Sequence, residues 1–183
     1  MTESIRITSG ELKGRSILSP GLKSVHPMGA REKIALFNMV FDCLPGAKVL
    51  DAFSGSGALG IEALSRGAGL VTFIEKNANV ARVIRENIRS MGLEAKSKVF
   101  VGDVEAFLCD EKFKVIMADP PYDDFRIEKV NYLTKFLGDG GVFVLSHPGP
   151  APVIVGLKLT KTHKYARANL SVYLKNTRKS LDF

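Results

Sequence analysis

Nothing in this sequence of 183 residues approaches the uninterrupted apolar run of about 18 residues that a membrane-crossing helix needs, so no membrane partner is expected. The opening Met1-Thr2-Glu3-Ser4-Ile5-Arg6 carries an acid early and no apolar stretch behind it, which is not the pattern of a signal peptide. Both absences place the chain in the cytoplasm. Cysteine is scarce. Cys43 and Cys109 each fall in a segment that reads as helix, and neither has a second Cys or His at metal-ligand spacing. A disulfide scaffold is excluded, no metal is expected, and the two thiols read as buried and free in a reducing compartment. Acids are missing altogether between Ala151 and Leu181, while Lys158, Lys161, Lys164, Arg167, Lys175, Arg178 and Lys179 all lie there.

What is present fits one core: 45% of residues are hydrophobic and 8% aromatic, which excludes disordered and fibrous classes. The 26 Lys and Arg against 19 Asp and Glu give a net charge of +7. Many soluble proteins are basic without touching nucleic acid, so the total says less than its distribution. A strip of one sign, such as the one after Ala151, is what contact with phosphates requires.

Residues 5 to 19 alternate in short apolar pieces around Gly10 and Gly14 and predict a small β-hairpin. A Pro- and Gly-containing linker follows, then helical spacing over 31 to 44 that stops at Pro45-Gly46. From Ala47 the pattern alternates strand and helix, with strands at 47 to 53, 70 to 75, 98 to 102, 113 to 118 and 141 to 145. The clearest helix starts after Asn77, a suitable N-cap, shows Val80, Val83, Ile84, Ile88 and Met91 on one face, and stops at Gly92. Two further strands read over 157 to 175. The expectation is a Rossmann-like, doubly wound α/β fold: a seven-stranded, mostly parallel sheet with an antiparallel edge strand.

The stretch Val49-Leu50-Asp51-Ala52-Phe53-Ser54-Gly55-Ser56-Gly57-Ala58-Leu59-Gly60 leaves the first of these strands and opens a helix. Its glycines allow backbone to approach a ligand and helix to pack on strand. Glu75 ends the next strand, placed to accept both ribose hydroxyls of a nucleoside. A dinucleotide would suit the same spacing, but Asp51 is unwelcome beside a pyrophosphate and favourable beside the ammonium of S-adenosylmethionine. Asp103, at the end of the third strand, reads both as an adenine contact and as the N-cap of a helix beginning at Val104.

The fourth strand runs into Asp119-Pro120-Pro121-Tyr122. Two prolines stiffen a turn, the Asp119 carboxylate and Pro120 carbonyl can accept both hydrogens of an exocyclic amine, and Tyr122 offers a face for an unstacked base. An ordinary Asp-Pro turn explains neither the second proline nor the aromatic at the carboxyl end of a central strand.

With both motifs in place the chain resembles the class I methyltransferases that modify base amino groups through a DPPY loop. More narrowly it resembles the bacterial small-subunit ribosomal RNA guanine-N2 methyltransferase family, RsmD, through Phe53 to Ala68, Ile7 to Arg15, Ala35-Leu36-Phe37-Asn38 and Lys164-Tyr165-Ala166-Arg167. It departs at His26 to Ile34, where only Pro27 and Arg31 of the family pattern persist, and at Leu145, where a Glu is common.

The resemblance implies a monomeric S-adenosylmethionine-dependent enzyme acting on RNA within a partly assembled small ribosomal subunit. One methyltransferase domain over 1–183 is expected, with hairpin and linker over 1–29 and the catalytic core over 30–183. Asp51, Phe53, Ser54, Gly55, Gly57, Glu75, Lys76, Asp103 and Val104 would surround the cofactor. Asp119, Pro120, Pro121 and Tyr122 would hold the base, and Lys13, Arg15, Arg31, Lys161, Lys164 and Arg167 would contact RNA. Related loops serve adenine-N6 and protein-glutamine methylation, and a non-catalytic ribosome-assembly module is the remaining alternative.

Overall fold

The chain runs from a hairpin, β1 (Ser4–Arg6) and β2 (Ser16–Leu18), into α1 (Ala30–Met39). It continues through β3 (Lys48–Asp51), α2 (Ala58–Ser65), β4 (Leu70–Glu75), α3 (Ala78–Met91), β5 (Ser97–Val101) and β6 (Phe113–Ala118). The last elements are α4 (Ile127–Leu133), β7 (Leu137–His147), β8 (Leu157–Lys164) and β9 (Asn169–Lys175). The computed structural model describes residues 4–21, 28–165 and 168–176. Seven strands form one sheet in the order β5-β4-β3-β6-β7-β9-β8. The first five are mutually parallel; β9 runs antiparallel to β7, and β8 antiparallel to β9. The mostly parallel sheet with an antiparallel end and a preceding hairpin is thus the one the sequence predicts.

Apolar residues sit on both faces of each central strand, because helices cover both sides of a parallel sheet. Val49, Val115, Val144 and Val172 face α1, α2, α3 and the hairpin, whose Leu36, Phe37, Ile61, Ile84, Ile7 and Ile17 complete that core. Leu50, Ile116, Phe143 and Tyr173 face the other way, against Val130 and Leu133 of α4 and the rings of Phe107 and Phe136. As predicted, the Asn77 side chain caps α3 by accepting from the Asn79 and Val80 N–H groups, and Gly92 ends it in the left-handed region.

Three local expectations change. The helix expected over 31 to 44 ends at Met39; the buried Val40 leaves helical geometry (φ −115°) and a 3-10 turn, Phe41–Cys43, follows. The strand expected at 141 to 145 extends in both directions, because the Gly-Asp-Gly-Gly run continues the ladder to Leu137, opposite Phe113, across a register irregularity. Cys109 lies in a loop, not a helix, and both thiols are half-buried and free. Among the described residues no helix is long and apolar enough to cross a membrane.

The hairpin is fastened by a charge at the centre of α2. Glu62 has no exposed side-chain surface. Its Oε1 accepts from the Thr8 hydroxyl (2.7 Å), the Ser9 N–H (3.0 Å) and Arg66 Nε (2.9 Å), and its Oε2 accepts from the Thr8 N–H (2.9 Å). Lys33 Nζ of α1, itself 3% exposed, lies 3.3 Å from Oε2 and donates to the Arg6 carbonyl at 2.9 Å. Burial pushes the Glu62 carboxyl up, but the Thr8 N–H and hydroxyl, Lys33 and Arg66 outweigh it and hold the group below its ordinary 4.5. Removing one partner of such a network leaves the others buried and uncompensated. Glu62→Gln is therefore expected to lose about 3–5 kcal/mol of stability in urea titrations at pH 7. Because the folded-state pKa is depressed, the wild-type advantage is present above the ordinary carboxylate value and shrinks as pH falls through the depressed one. Equal unfolding midpoints at pH 7 would show that the network does not hold the fold.

Candidate active site

Strands β3, β4, β5 and β6 all end at one edge of the sheet. From β3 the chain winds outward through β4 to β5, then returns to the other side of β3 as β6. Ligand crevices of open α/β sheets lie at such a switch in winding. Asp51 ends β3, Glu75 ends β4, Asp103 stands two residues past β5, and Asp119 follows β6 directly.

Asp51 is 1% exposed. Its Oδ2 accepts the Gly60 N–H at 2.9 Å, which ties the end of β3 to the first turn of α2, while Oδ1 is buried without any hydrogen-bond partner. Burial, opposed by the Gly60 N–H and reinforced by the charges of Asp119 and Glu75, raises its carboxyl to about 7. The glycine turn is shaped for this arrangement. Gly57 has φ +79°, in the left-handed region, and a Cβ on Gly60 would come within 2.1 Å of the Phe73 ring of β4. The Ser54 N–H reaches the Ile74 carbonyl at 3.0 Å and its hydroxyl the Asp51 carbonyl at 2.8 Å, which fixes the turn against β4 and β3.

Each Glu75 oxygen accepts one backbone N–H, Oε2 from Gly55 at 3.0 Å and Oε1 from Asn77 at 2.8 Å. Burial wins over those bonds and raises its pKa. Asp103 serves as the N-cap foreseen for it: Oδ1 accepts the Glu105 N–H (3.2 Å), and Oδ2 pairs with Lys129 Nζ of α4 at 2.7 Å. Against a desolvation that pushes it up, Lys129 and the Glu105 N–H hold its pKa low.

The Asp119 carboxyl is raised to about 6 by desolvation, with the Ser146 hydroxyl pulling the other way. Ser146, 1% exposed near the end of β7, also bonds the Tyr122 hydroxyl at 2.5 Å. The serine hydroxyl thus bonds the Tyr122 end of the Asp119-Pro120-Pro121-Tyr122 loop and is close enough to Asp119 to favour its charged form. Pro120 is buried, Pro121 exposed, and Tyr122 36% exposed, so its ring is open to a partner. The charge of Glu32 in α1 is felt at Tyr122, which brings the start of that helix near the loop.

Of the other predicted residues, Ser54 and Val104 are buried in the turn and below Asp103, Phe53 packs partly against the second core, and Lys76 is exposed, 4.0 Å from Asp124. The basic residues do not converge. Arg31 lies at the start of α1 near the loop, and Lys161 and Lys164 are exposed on the edge strand β8. Lys13 and Arg15 stand apart: Arg15 donates to the Ser90 carbonyl (2.7 Å) in the last turn of α3, at the opposite end of the sheet from the acids. Arg167 and Pro27 are outside the described residues. Among the described residues no group of three or more His, Cys, Asp or Glu side chains is arranged to hold a metal.

Three residues of this region escape sequence reasoning. Ser146 was hidden by ending the strand at 145, and Lys129 meets Asp103 across 26 residues. Asn87 sits on the apolar side of α3, where its Nδ2 donates to the Ser56 (3.1 Å) and Leu18 (3.0 Å) carbonyls and its Oδ1 accepts the Leu18 N–H (2.8 Å).

The strand order, the glycine turn after β3 and the acids at the strand ends define a class I methyltransferase fold. A solved structure from Escherichia coli, yhhF, provisionally called a methyltransferase, superposes with a TM-score of 0.85 at 26% identity, covering 96% of this chain and 100% of that one. YlbH of Bacillus subtilis, provisionally called an rRNA methyltransferase, is 30% identical over 182 residues, 93% of this chain and 99% of that protein. The ribosomal RNA small subunit methyltransferase D of Haemophilus influenzae is 32% identical over 123 residues, 64% of each chain. The family model described as conserved hypothetical protein 95 matches residues 5–174, and the chain belongs to that family, the RsmD family of methyltransferases.

Asp51 carries a testable penalty. An acid whose folded pKa is raised loses stability as pH rises from its ordinary value of 3.8 to the folded one near 7, because the unfolded chain gives up the proton first. Asp51→Asn is expected to stabilise the ligand-free protein by on the order of 2–4 kcal/mol at pH 8, with a gain clearly smaller at pH 5. Urea titration at both pH values measures it, and a pH-independent difference would mean that the Asp51 charge is not the source.

Proposed function

We propose that this protein transfers a methyl group from S-adenosylmethionine to the exocyclic N2 amino group of a guanine in small-subunit ribosomal RNA. The observation that carries the cofactor assignment is the buried, unpartnered Oδ1 of Asp51. An orphaned carboxylate oxygen in a crevice that raises its pKa calls for a donor that is also a cation, and the ammonium of the methionine arm is one. The base assignment rests on the Asp119 to Tyr122 loop and on relatives named for small-subunit ribosomal RNA methylation. The choice of guanine N2 rests on the longer sequence resemblance to that family.

When bound, S-adenosylmethionine supplies a methyl group on a sulfonium. Asp51 Oδ1 would accept from the ammonium, while Gly55, Gly57, Phe53 and Ser54 would form the turn against the ligand. Glu75 would accept the ribose hydroxyls with the lone pairs left by its two backbone donors, and Asp103 and Val104 would meet the adenine, with Lys76 at the rim. On the other side Asp119 and the Pro120 carbonyl accept the two amine hydrogens, which turns the nitrogen lone pair toward the methyl. Pro121 stiffens the loop, and the Tyr122 ring supports the base. As the amine takes up the methyl group, Asp119, already bonded to one of its hydrogens, would take the surplus proton. With the family resemblance, this reading implies a cytoplasmic monomer acting on RNA in a partly assembled small subunit, with Lys13, Arg15, Arg31, Lys161, Lys164 and Arg167 as candidate phosphate contacts.

The role of Asp119 separates positioning from proton abstraction before attack. A guanine amine is too weak an acid to be deprotonated first, so the reaction needs an oriented acceptor. Asn retains an acceptor oxygen without the charge that roughly doubles such a bond. Asp119→Asn is expected to lose about 10- to 100-fold in single-turnover methyl transfer, about 1.4–2.7 kcal/mol of barrier, and Asp119→Ala roughly 1000-fold or more. Titration with S-adenosylmethionine should show binding retained in both, weakened only as far as the Asp119 charge reaches the ammonium across Asp51. In the empty site the Asp119 pKa is raised to about 6, and a bound cation would bring it down, so the wild-type single-turnover rate should fall with pH only below about 6. Equal inactivity of the two variants would favour a base over a positioner, and transfer of labelled methyl to protein or DNA but not to small-subunit RNA would replace the substrate assignment.

A further inference from the structure

A cleft of about 390 Å³ opens between α1 and the edge strands β8 and β9, outside the crevice that holds the acids. Its floor is the Val172 side chain of β9, its α1 wall is Ala35, Asn38 and Met39, and its outer wall is Lys161 and His163 of β8. The volume suits one nucleotide. Apolar surface, an amide and a cation surround it, and no carboxylate lines it.

Strand register relates this cleft to the catalytic loop. His163 is opposite Leu170 of β9, and Leu170 is opposite Ser146 of β7, the residue that bonds Tyr122. Two strand spacings, about 10 Å, separate these rows. Leu170 and Val172 share the α1-facing side of the sheet with Val144, and Ser146 has the same alternation as Val144. The cleft and the Tyr122 anchor therefore lie on one face, bridged by α1, whose Glu32 is felt at Tyr122. The bulge between Leu159 and Lys161 decides which charge serves it: after that shift Lys161 stands opposite Val172 and turns toward α1, while Lys164, opposite Asn169, alternates to the other side.

Resting on the reading that the substrate is RNA, we propose that this cleft receives a nucleotide flanking the methylated one on the same strand. The base lies between Met39 and Val172 with its edge at Asn38, and its phosphate meets Lys161. Thr160 lines the cleft with its hydroxyl already given to the Val172 carbonyl at 2.9 Å, which leaves Asn38 and, across from it, the His163 imidazole as the groups able to read a base edge. Along α1 the exposed Ile34 (43%) and, just beyond the helix, Phe41 (63%) continue apolar surface that the fold itself leaves uncovered.

Asn38 is exposed, so a photoreactive side chain there should leave the fold intact. The test crosslinks Asn38→p-benzoylphenylalanine to small ribosomal subunits that lack the modification, and also measures RNA affinity of Ala35→Trp and Lys161→Ala, with urea titration and S-adenosylmethionine binding as controls. The expected crosslink is to RNA within a few nucleotides of the methylated guanine. Ala35→Trp fills the cleft and should weaken RNA binding roughly tenfold or more with an unchanged salt slope. Lys161→Ala should weaken binding and reduce the slope by about one. A crosslink to a ribosomal protein, no crosslink, or wild-type RNA affinity in a folded Ala35→Trp would overturn the cleft assignment while leaving the methyl-transfer reading in place. Wild-type protein that neither binds nor methylates RNA would overturn both.

Discussion

A carboxylate sealed at the end of the central strand sets the terms for everything around it. Asp51 is desolvated on all sides, and its two oxygens have different fates. One is consumed by the Gly60 N–H and so fixes where α2 begins; the other has no partner within the fold. The first bond accounts for the glycines, because α2 can begin that close to β3 only if Gly57 takes a left-handed conformation and Gly60 presents no side chain to Phe73. The second oxygen makes the arrangement unfavourable until a cation arrives. A buried acid that destabilises the fold and leaves an acceptor unpartnered has the character of a binding site more than of a scaffold.

The surroundings hold this turn still by means that come from far along the chain. Asn87 of α3 grips the Ser56 carbonyl in the middle of the glycine turn and, with the same amide, both backbone groups of Leu18 in β2. Glu62, two residues past Gly60 on α2, binds Thr8 and Ser9 just after β1. The hairpin is thus a brace on the helix and turn that shape the crevice. This also explains why Arg15 sits against the far end of α3: the hairpin's position is dictated by Asn87 and Glu62, and its basic tip follows.

The same contrast marks what could be read from the sequence. The sheet, the capped α3, the glycine turn and the strand-end acids were legible because each depends on local pattern: short apolar runs, an Asn and a Gly at the helix ends, acids directly after strands. Glu62 and Lys33 were not, since a buried ion pair and a solvated helix face are spelled with the same letters, and only the hairpin's return over α2 removes their water. Ser146 was missed for a related reason. Pro148 and Gly149 suggest an early end to β7, yet pairing with β9 carries the strand to His147, where buried His147 and Ser171 are joined by a 2.8 Å hydrogen bond. Partners at long range extend elements past the point where local propensity would stop them.

The two raised acids of the crevice are coupled by charge, the buried Asp51 and the half-buried Asp119 repelling one another as carboxylates. The charge of Asp119 contributes to the high pKa of Asp51, so near neutral pH the empty site resists holding both as carboxylates. In the proposed reaction this works as an ordering device. A cation against Asp51 raises the potential in the crevice and so favours the negatively charged form of Asp119, the form that accepts most strongly from the target amine. Ser146 adds to it, since its hydroxyl opposes desolvation at Asp119 while bonding the Tyr122 hydroxyl at the other end of the loop. The acceptor is therefore strongest when the methyl donor is present, and the aromatic face is held in register with it by a residue of the neighbouring strand.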